Sequence, residues 1–587
     1  MPPNSPPETY GALPVLYVDG RKVPASILEA IREVVVHSDV AAPDACRVVL
    51  ADPGRDALAA AGFDFRRGLK VTAPPVASPG GGSVERTLFE GMIYSIGFHY
   101  DEHGATTVAV AYDSSYALFN GVHTATYHNV TDSDLVTRIA AELHLPTGTV
   151  SPTSVVHDHV GQVNETYWDF LTRRAREIDH VLRVRDNRLD FVRSTPAGAG
   201  PVPAGYDSQD HLQLTPGGDL DAFSVRVTAA QQVAEVEVRG WDDRAKREIA
   251  AVARAQTRAA KVADVPADLA AGAGAGGAGG AARFVTPARP LATQAECDAM
   301  VAAVAERIAS TSVAAEGVAH GDPRILAGVA LSVGATGGRF DGRLTVSHAE
   351  HRFDHAGYRT RFTVSGPHDR SLLGLTSAAG ARQGAPLIAG VVPGIVSNIN
   401  DPESRARVRV RLPWLSAQYE TDWARVAAPG GGPDRGMLVL PEVNDEVLVA
   451  FEQGDPRRPF VLAGLYNGVD APPFAGGVDT AAGTVARRGL RTRKGHEIVV
   501  SDADGDEHVE IRTRDGKVRI RLDHDQGGLT VEADADVDLR ARGRLSLTAE
   551  QDLTISTRGT GTISADAGLT LTSGADVTVQ GNPIRLN

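Results

Sequence analysis

The chain has 587 residues, of which 42% are hydrophobic, 22% charged and 5% aromatic, with 62 glycines and a formal net charge of −14. That length implies roughly three to five domains, the glycines suit a turn-rich β protein, and the acidic balance argues against nucleic acid as a main partner. Cys46 and Cys297 sit far apart and suggest no disulfide framework, no run approaches the ~18 apolar residues of a membrane helix, and MPPNSPPETYGALPVLYVDG has no basic or apolar leader region. Synthesis in the cytoplasm without a signal peptide is expected, so any work outside needs a delivery machine.

From Pro14 to about Gly104 the chain reads as short strands, with VLYVDG, CRVVLADP and GMIYSIGFHY as examples, and Ala77 to Ser83 as an exposed loop. Thr131 can cap a helix with Asp134 three residues on, and Leu135, Val136, Ile139, Ala140 and Leu143 form its apolar face. A second helix is expected from about Asn164, with Trp168, Leu171, Ala175 and Ile178 at helical spacing and Trp168 in the core. VLRVRDNRLDFV then reads as a hairpin turning at Asp186-Asn187. After SVRVTAAQQVAEVEVRGWD the pattern predicts a polar, Ala-rich helix, followed by a flexible Gly/Ala linker from Ala270 to Arg283. The linker holds G-x-G-x-x-G at Gly272, Gly274 and Gly277. A dinucleotide site needs a strand before that motif and a helix opening within it, and neither is present. A third helix covers about Gln294 to Ser310, with Met300, Val301, Val304 and Ile308 on one face, before strands resume. His348 and His351, three apart on a strand, fall on opposite faces and make a poor metal pair.

Gly390 to Gly468 suits a small closed barrel of the OB type, with about five strands. Within it Arg405, Arg407, Arg409 and Arg411 alternate with Ala406, Val408, Val410 and Leu412, which makes a half-buried strand. An arginine stripe on an OB barrel invites a nucleic-acid reading, but no aromatics for base stacking interleave with it. The alternative is that these arginines meet acidic neighbours or other subunits.

The C-terminal stretch repeats every eight residues. Apolar pairs two apart recur at Leu529/Val531, Val537/Leu539, Leu545/Leu547, Leu553/Ile555, Leu569/Leu571 and Val577/Val579, with one defective block where Gly561 precedes Ile563. Small residues follow each pair, at Ala533, Ala541, Ala549, Thr557, Ala565, Ser573 and Gly581. Period two within a block is a strand with one buried face, and a fixed octad across blocks is a stack. Burying two aliphatics gives about 1.5–3 kcal/mol each, while ordering each residue costs about 1–2 kcal/mol of backbone entropy. Such blocks order only if their ladders are complete and the apolar face is wholly dry. Three chains wound about one axis satisfy both, and about seven layers at ~4.8 Å make a needle roughly 30–35 Å tall. Single-chain β-helices commonly repeat every six or nine residues, and neither period fits.

The string EVNDEVLVAFEQGDPRRPFVLAGLYNG resembles the OB-barrel signature of VgrG-type spike proteins and phage baseplate hub-needle proteins, through Gly454, Asp455, Pro456 and Tyr466, Asn467, Gly468. YDSSYALFNGVHTATYHNVTDSDLVTRIAAEL and VNETYWDFLTRRAREIDHVLRV are similar to the family's double-barrel hub, and the octads with the terminal GNPIRLN to its triple-stranded β-helix. The resemblance implies a mainly β fold with a few helices. Its parts would be a tandem-barrel hub over 1–385, an OB barrel over 386–470, a linker over 471–488 and an intertwined trimeric β-helix over 489–587. It also implies the homotrimeric spike of a contractile injection machine, made in the bacterial cytoplasm. That spike would meet a hexameric inner-tube protein, baseplate proteins, effectors, and a PAAR-type tip protein at Ile584, Leu586 and Asn587. The alternative function is an OB-type nucleic-acid or glycan-binding protein on a trimerising stalk.

No enzyme, cofactor or metal is expected. The twenty or so residues after Gly468 are too few for a catalytic domain. Asp502, Asp504 and Asp506 fail as a calcium loop, because Glu507 stands where glycine is needed and Thr513 where the last ligand is needed, so SDADGDEHVEI reads as a hairpin turn. Neither a Gly-x-Ser-x-Gly elbow nor clustered Cys/His ligands are present.

Overall fold

The computed structural model describes residues 13–73, 85–206, 208, 210–230, 232–263, 283–286, 290–366 and 387–585. The expected Ala77–Ser83 loop, the three glycines of the G-x-G-x-x-G stretch and nearly all of the Gly/Ala linker lie outside the described residues. The chain divides into two compact units, Met1–Asn467 and Gly468–Asn587.

The first unit is mainly β. Its largest element is one eleven-stranded sheet. Across it the order is Leu220–Val227, Val313–His320, Gly357–Val364, His348–Asp354, Ile31–Asp39, Ala45–Ala51, Gly104–Tyr112, Arg86–Asp101, Gly68–Ala73, Val15–Val18 and Arg21–Lys22. Where tandem barrels were expected, these strands lie in one continuous sheet. His348–Asp354 pairs antiparallel with Ile31–Asp39, which welds strands from distant parts of the sequence into one surface. That surface serves two cores, one around Leu16, Val34, Leu50, Val71 and Ile93, the other around Leu331, Leu344, Val346, Phe362 and Val364. His351 is fully buried and His348 lies on the other face beside His37, as alternation requires.

A helical insert follows the sheet's N-terminal half. Thr131 and Asp134 close a reciprocal capping box on the Asp132–Glu142 helix. The second helix runs Tyr167–Glu177, capped by Thr166. It starts later than expected because the preceding strand His157–Glu165 runs on past Asn164, which sits at positive φ within it. Trp168, Leu171 and Ala175 are in the core as their spacing predicts, with Phe170 and Phe191. His180–Arg185 and Arg188–Arg193 form the hairpin, with Asp186 and Asn187 both at positive φ.

The expected Ala-rich helix is a strand. Arg247–Arg254 pairs along its whole length with Glu235–Asp242, burying Ile249 and Ala251 beneath the Gln294–Ser310 helix. Alanine's helix propensity is a weak prior, and a partner strand with a waiting apolar helix face overrides it here.

Val391–Asn398, Arg407–Arg411, Ala424–Val426, Pro459–Gly464 and Glu446–Phe451 close into a five-stranded barrel around Val396, Val408, Val410, Leu412, Val447 and Val449. In the second unit, Arg487–Arg491, Glu497–Ala503, Asp506–Arg512, Val518–Asp523 and Gly528–Ala533 form an antiparallel meander. The needle was expected to begin at 489; within the single chain these strands pair with one another, and Leu529 and Val531 lie on the last strand of that sheet. The stretch expected as a linker carries a small hairpin, Val478–Asp479 with Thr484–Val485. The turn at Asp504-Gly505 joins two strands of the meander, as SDADGDEHVEI predicts. From 534 to 585 no helix or strand forms within the single chain.

Candidate functional site: barrel, charged joint and C-terminal repeat

Three of the four arginines of the stripe meet carboxylates, while Arg411 is exposed. Arg405 donates to Asp243 at 2.6 Å, Arg407 to Asp401 at 2.6 Å, and Arg409 to Glu420 at 3.0 Å. Arg407 and Arg409 also lie 5.9 and 4.9 Å from the ring centre of Trp423. The Arg407 guanidinium holds the Asp401 carboxyl well below the usual carboxylate range. Groups committed in this way are not arranged to receive a phosphate backbone.

The Gly-Asp-Pro turn follows Phe451. Gly454 sits at φ +80, where an L side chain is strained, and a Cβ there would crowd Leu387. Asp455 is buried and receives both the backbone N–H and the guanidinium of Arg457, the latter at 2.7 Å. Burial opposes the Arg457 charge, but Asp455, Glu177 and Glu296 outweigh it and raise its pKa. Pro456 is buried, Tyr466 is exposed, and Asn467 donates to Glu446 at 2.7 Å. Gly468 begins the second unit.

Sequence reasoning missed the charged joint that this turn enters. Arg174, 2% exposed, donates to Asp132 at 2.7 Å, Glu177 at 2.8 Å and His157 Nε2 at 2.6 Å. His157 Nε2 also lies 3.3 Å from Asp132, and its Nδ1 lies 3.9 Å from Glu296. Burial would raise the Asp132 pKa, but Arg174 and His157 hold it lowered. The signal was present: Arg174 is three residues after Leu171, inside the stripe that marks this helix's buried face. Nearby, Gly161 leaves room for the buried Tyr419, whose hydroxyl would lie 2.8 Å from a Cβ at that position.

The meander of the second unit has its polarity reversed from that of a surface sheet. One face holds Glu497, Ser501, His508 and Glu510, all buried, roofed by arginines: Arg512 on Glu497 at 2.6 Å, Arg521 on Asp506 at 2.9 Å, Arg519 on Glu532 at 2.8 Å. The other face carries two aliphatic rows formed by cross-strand partners. One is Leu490, Ile498, Ile511, Ile520 and Val531; the other is Val500, Val509, Leu522 and Leu529. These side chains are 39–67% exposed. Beyond them Val537, Leu539, Leu545, Leu547, Leu553, Ile555, Ile563, Leu569, Leu571, Val577 and Val579 are 56–80% exposed, and Ile584 is 48% exposed. Leu586 and Asn587, expected to meet a tip protein, lie outside the described residues.

Among the described residues no cluster of three His, Cys, Asp or Glu side chains could hold a metal, and no helix is long and apolar enough to cross a membrane.

Residues 392–466 match the Type VI secretion system/phage-baseplate injector OB domain. Residues 16–355, over half of the chain, match the Alg8 N-terminal domain, and the chain belongs to that family. The type VI secretion system spike protein VgrG5 of Pseudomonas aeruginosa is 32% identical over 169 residues, 26% of this chain and 20% of that protein. VgrG3 of Vibrio cholerae, also a type VI spike protein, is 31% identical over 124 residues, 20% of this chain and 12% of that protein. The chain thus spans a fifth or less of the length of these relatives. A chain of the lidded Francisella PdpA-VgrG complex shares the fold, with a TM-score of 0.50 at 8% identity over 87% of this chain and 77% of that one.

Proposed function

We propose that the chain is the trimeric central spike of a contractile injection machine, whether an extracellular injection system, a phage-tail-like particle or a type VI apparatus. It joins a hexameric inner tube and baseplate to a tip and punctures the target envelope. One observation carries the reading: an injector-type OB barrel is followed by a column of aliphatic octads that the chain leaves bare. A single chain cannot hold that column dry, whereas three can.

In this reading residues 1–385 are the hub, 386–470 the barrel, and the octads from 534 onward the needle shaft. The work is mechanical and non-enzymatic. The chain is made in the cytoplasm and carried outward on contraction, with a PAAR-type protein seated on the end that includes Ile584 and effectors travelling with it. The internal pairing of Arg405, Arg407 and Arg409 supports this over a nucleic-acid or glycan-binding OB protein. Particles purified through a tagged copy and imaged by electron microscopy test it. Threefold density on the axis at the end of a tube is expected. Recovery of the tagged chain free of any tube overturns the reading, and a tip protein retained after deletion of residues 580–587 overturns the tip assignment.

A further inference from the structure

We propose that His37 and His348 form a two-histidine chelate for zinc or another borderline divalent metal ion, one that clips the large sheet where its two halves join. The proposal is independent of the spike reading. The two imidazoles meet across the antiparallel pair Ile31–Asp39 and His348–Asp354. His37 Nδ1 lies 3.3 Å from His348 Nε2, with the ring centres 5.5 Å apart. Two zinc–nitrogen bonds of about 2.0–2.1 Å at a tetrahedral angle span about 3.3 Å, so the nitrogens already stand at the separation a shared ion needs. Imidazole is a ligand that suits zinc, copper and nickel alike.

The strand register supplies the surroundings. Alternation puts His37 and Asp39 on one face of their strand, and His348 and Glu350 on the same face of theirs. Glu350 is the cross-strand partner of His37, and Asp39 that of His348, so two carboxylates border the two rings. On its other side His37 is paired with the small Ala45. Both histidines are half-buried, and burial is the first cause that lowers the pKa of each, which keeps the rings neutral, as metal ligands must be. Arg352, at the next position along that face, is divided among Glu33, Glu350 and Asp354. Without metal, one ring donates its N–H to the other; to bind, that ring carries its proton on its other nitrogen, and no proton has to leave the pair. Two side chains are fewer than a closed zinc site uses, so water fills the remaining positions. The consequence is mechanical. His37 and His348 are 311 residues apart, and a clip that closes so long a loop opposes separation of the sheet's halves.

The test titrates the full chain, stripped of metal by a chelator, with zinc chloride in a calorimeter. One site per chain is expected at this position. His37→Gln and His348→Gln should each weaken it by roughly tenfold or more, since losing even an outer partner of a metal ligand costs about 10–100-fold. His99 and His103 are exposed and both lie beside Asp101, so His99→Gln with His103→Gln is the control and should leave the site intact. A second readout needs no variant. On the wild-type chain, amides of 31–39 and 348–354 should exchange about tenfold more slowly when free zinc is about ten times its Kd. Zinc should also shield His37 and His348 from diethyl pyrocarbonate, as mapped by mass spectrometry. A wild-type chain that binds no zinc, binding that survives either histidine change, or exchange and labelling unmoved by zinc overturns the proposal.

Discussion

Replacing Arg174 with methionine keeps much of the side chain's length and removes its charge from a site that is 2% exposed. Three acceptors lose a donor at once: Asp132, Glu177 and His157. Glu177 is 12% exposed and keeps Arg173 at 3.7 Å, so it is partly relieved. Asp132 is 1% exposed and retains only the side-chain contact to His157 Nε2 at 3.3 Å. Stranding a buried charge of this kind costs about 3–5 kcal/mol, and the residual contacts place Arg174→Met near the lower end, about 3 kcal/mol. Adding Asp132→Asn removes the stranded charge, so the double variant should be more stable than Arg174→Met alone. A chain of two units does not unfold in one step, so the measurement is native-state hydrogen exchange on the Tyr167–Glu177 helix. A loss below about 1 kcal/mol for Arg174→Met, or a double variant as costly as the two single ones added, would refute the claim that Arg174 neutralises this joint.

Leu545→Asp should abolish trimers of the full chain in light scattering, because three unpaired carboxylates on one axis cost several kcal/mol each. Gly561→Leu should raise the melting temperature of the C-terminal unit by filling the missing apolar position. Gly561 is not at positive φ, and an added Cβ meets only the Thr557 methyl at 3.3 Å, so a fall in stability would mean the octad bends there. The buried His351 has its pKa pushed down to about 4, first by desolvation. Unfolded, it takes up a proton near its ordinary 6.5, so wild type should lose stability relative to His351→Gln as pH falls from about 6.5 to 4, approaching about 3 kcal/mol. Asp113, raised by burial to about 6, works in the opposite direction in that window but is common to both proteins and drops out of the difference. A pH-independent difference would show that His351 does not titrate on unfolding.

The octads were legible because period two and period eight are properties of the sequence alone. So was the helix start at Thr131, where the hydroxyl accepts the Asp134 amide and the Asp134 carboxylate accepts the Thr131 amide. The barrel could be placed because its apolar alternation and its glycine turn are local. What lay beyond the sequence depended on partners distant in the chain. Arg247–Arg254 is a strand because Glu235–Asp242 and the Gln294–Ser310 helix lie against it, and alanine carries no signal for either. Arg174 is buried because Asp132 lies 42 residues earlier, and a single window shows only an arginine inside an apolar stripe. In the meander, alternation announced two faces but not which one the chain itself would cover. The carboxylates and arginines found one another across strands and sealed the charged face, so the aliphatic face was left bare. Side-chain period is fixed by backbone geometry, whereas the choice of covered face is made by whatever packs against it.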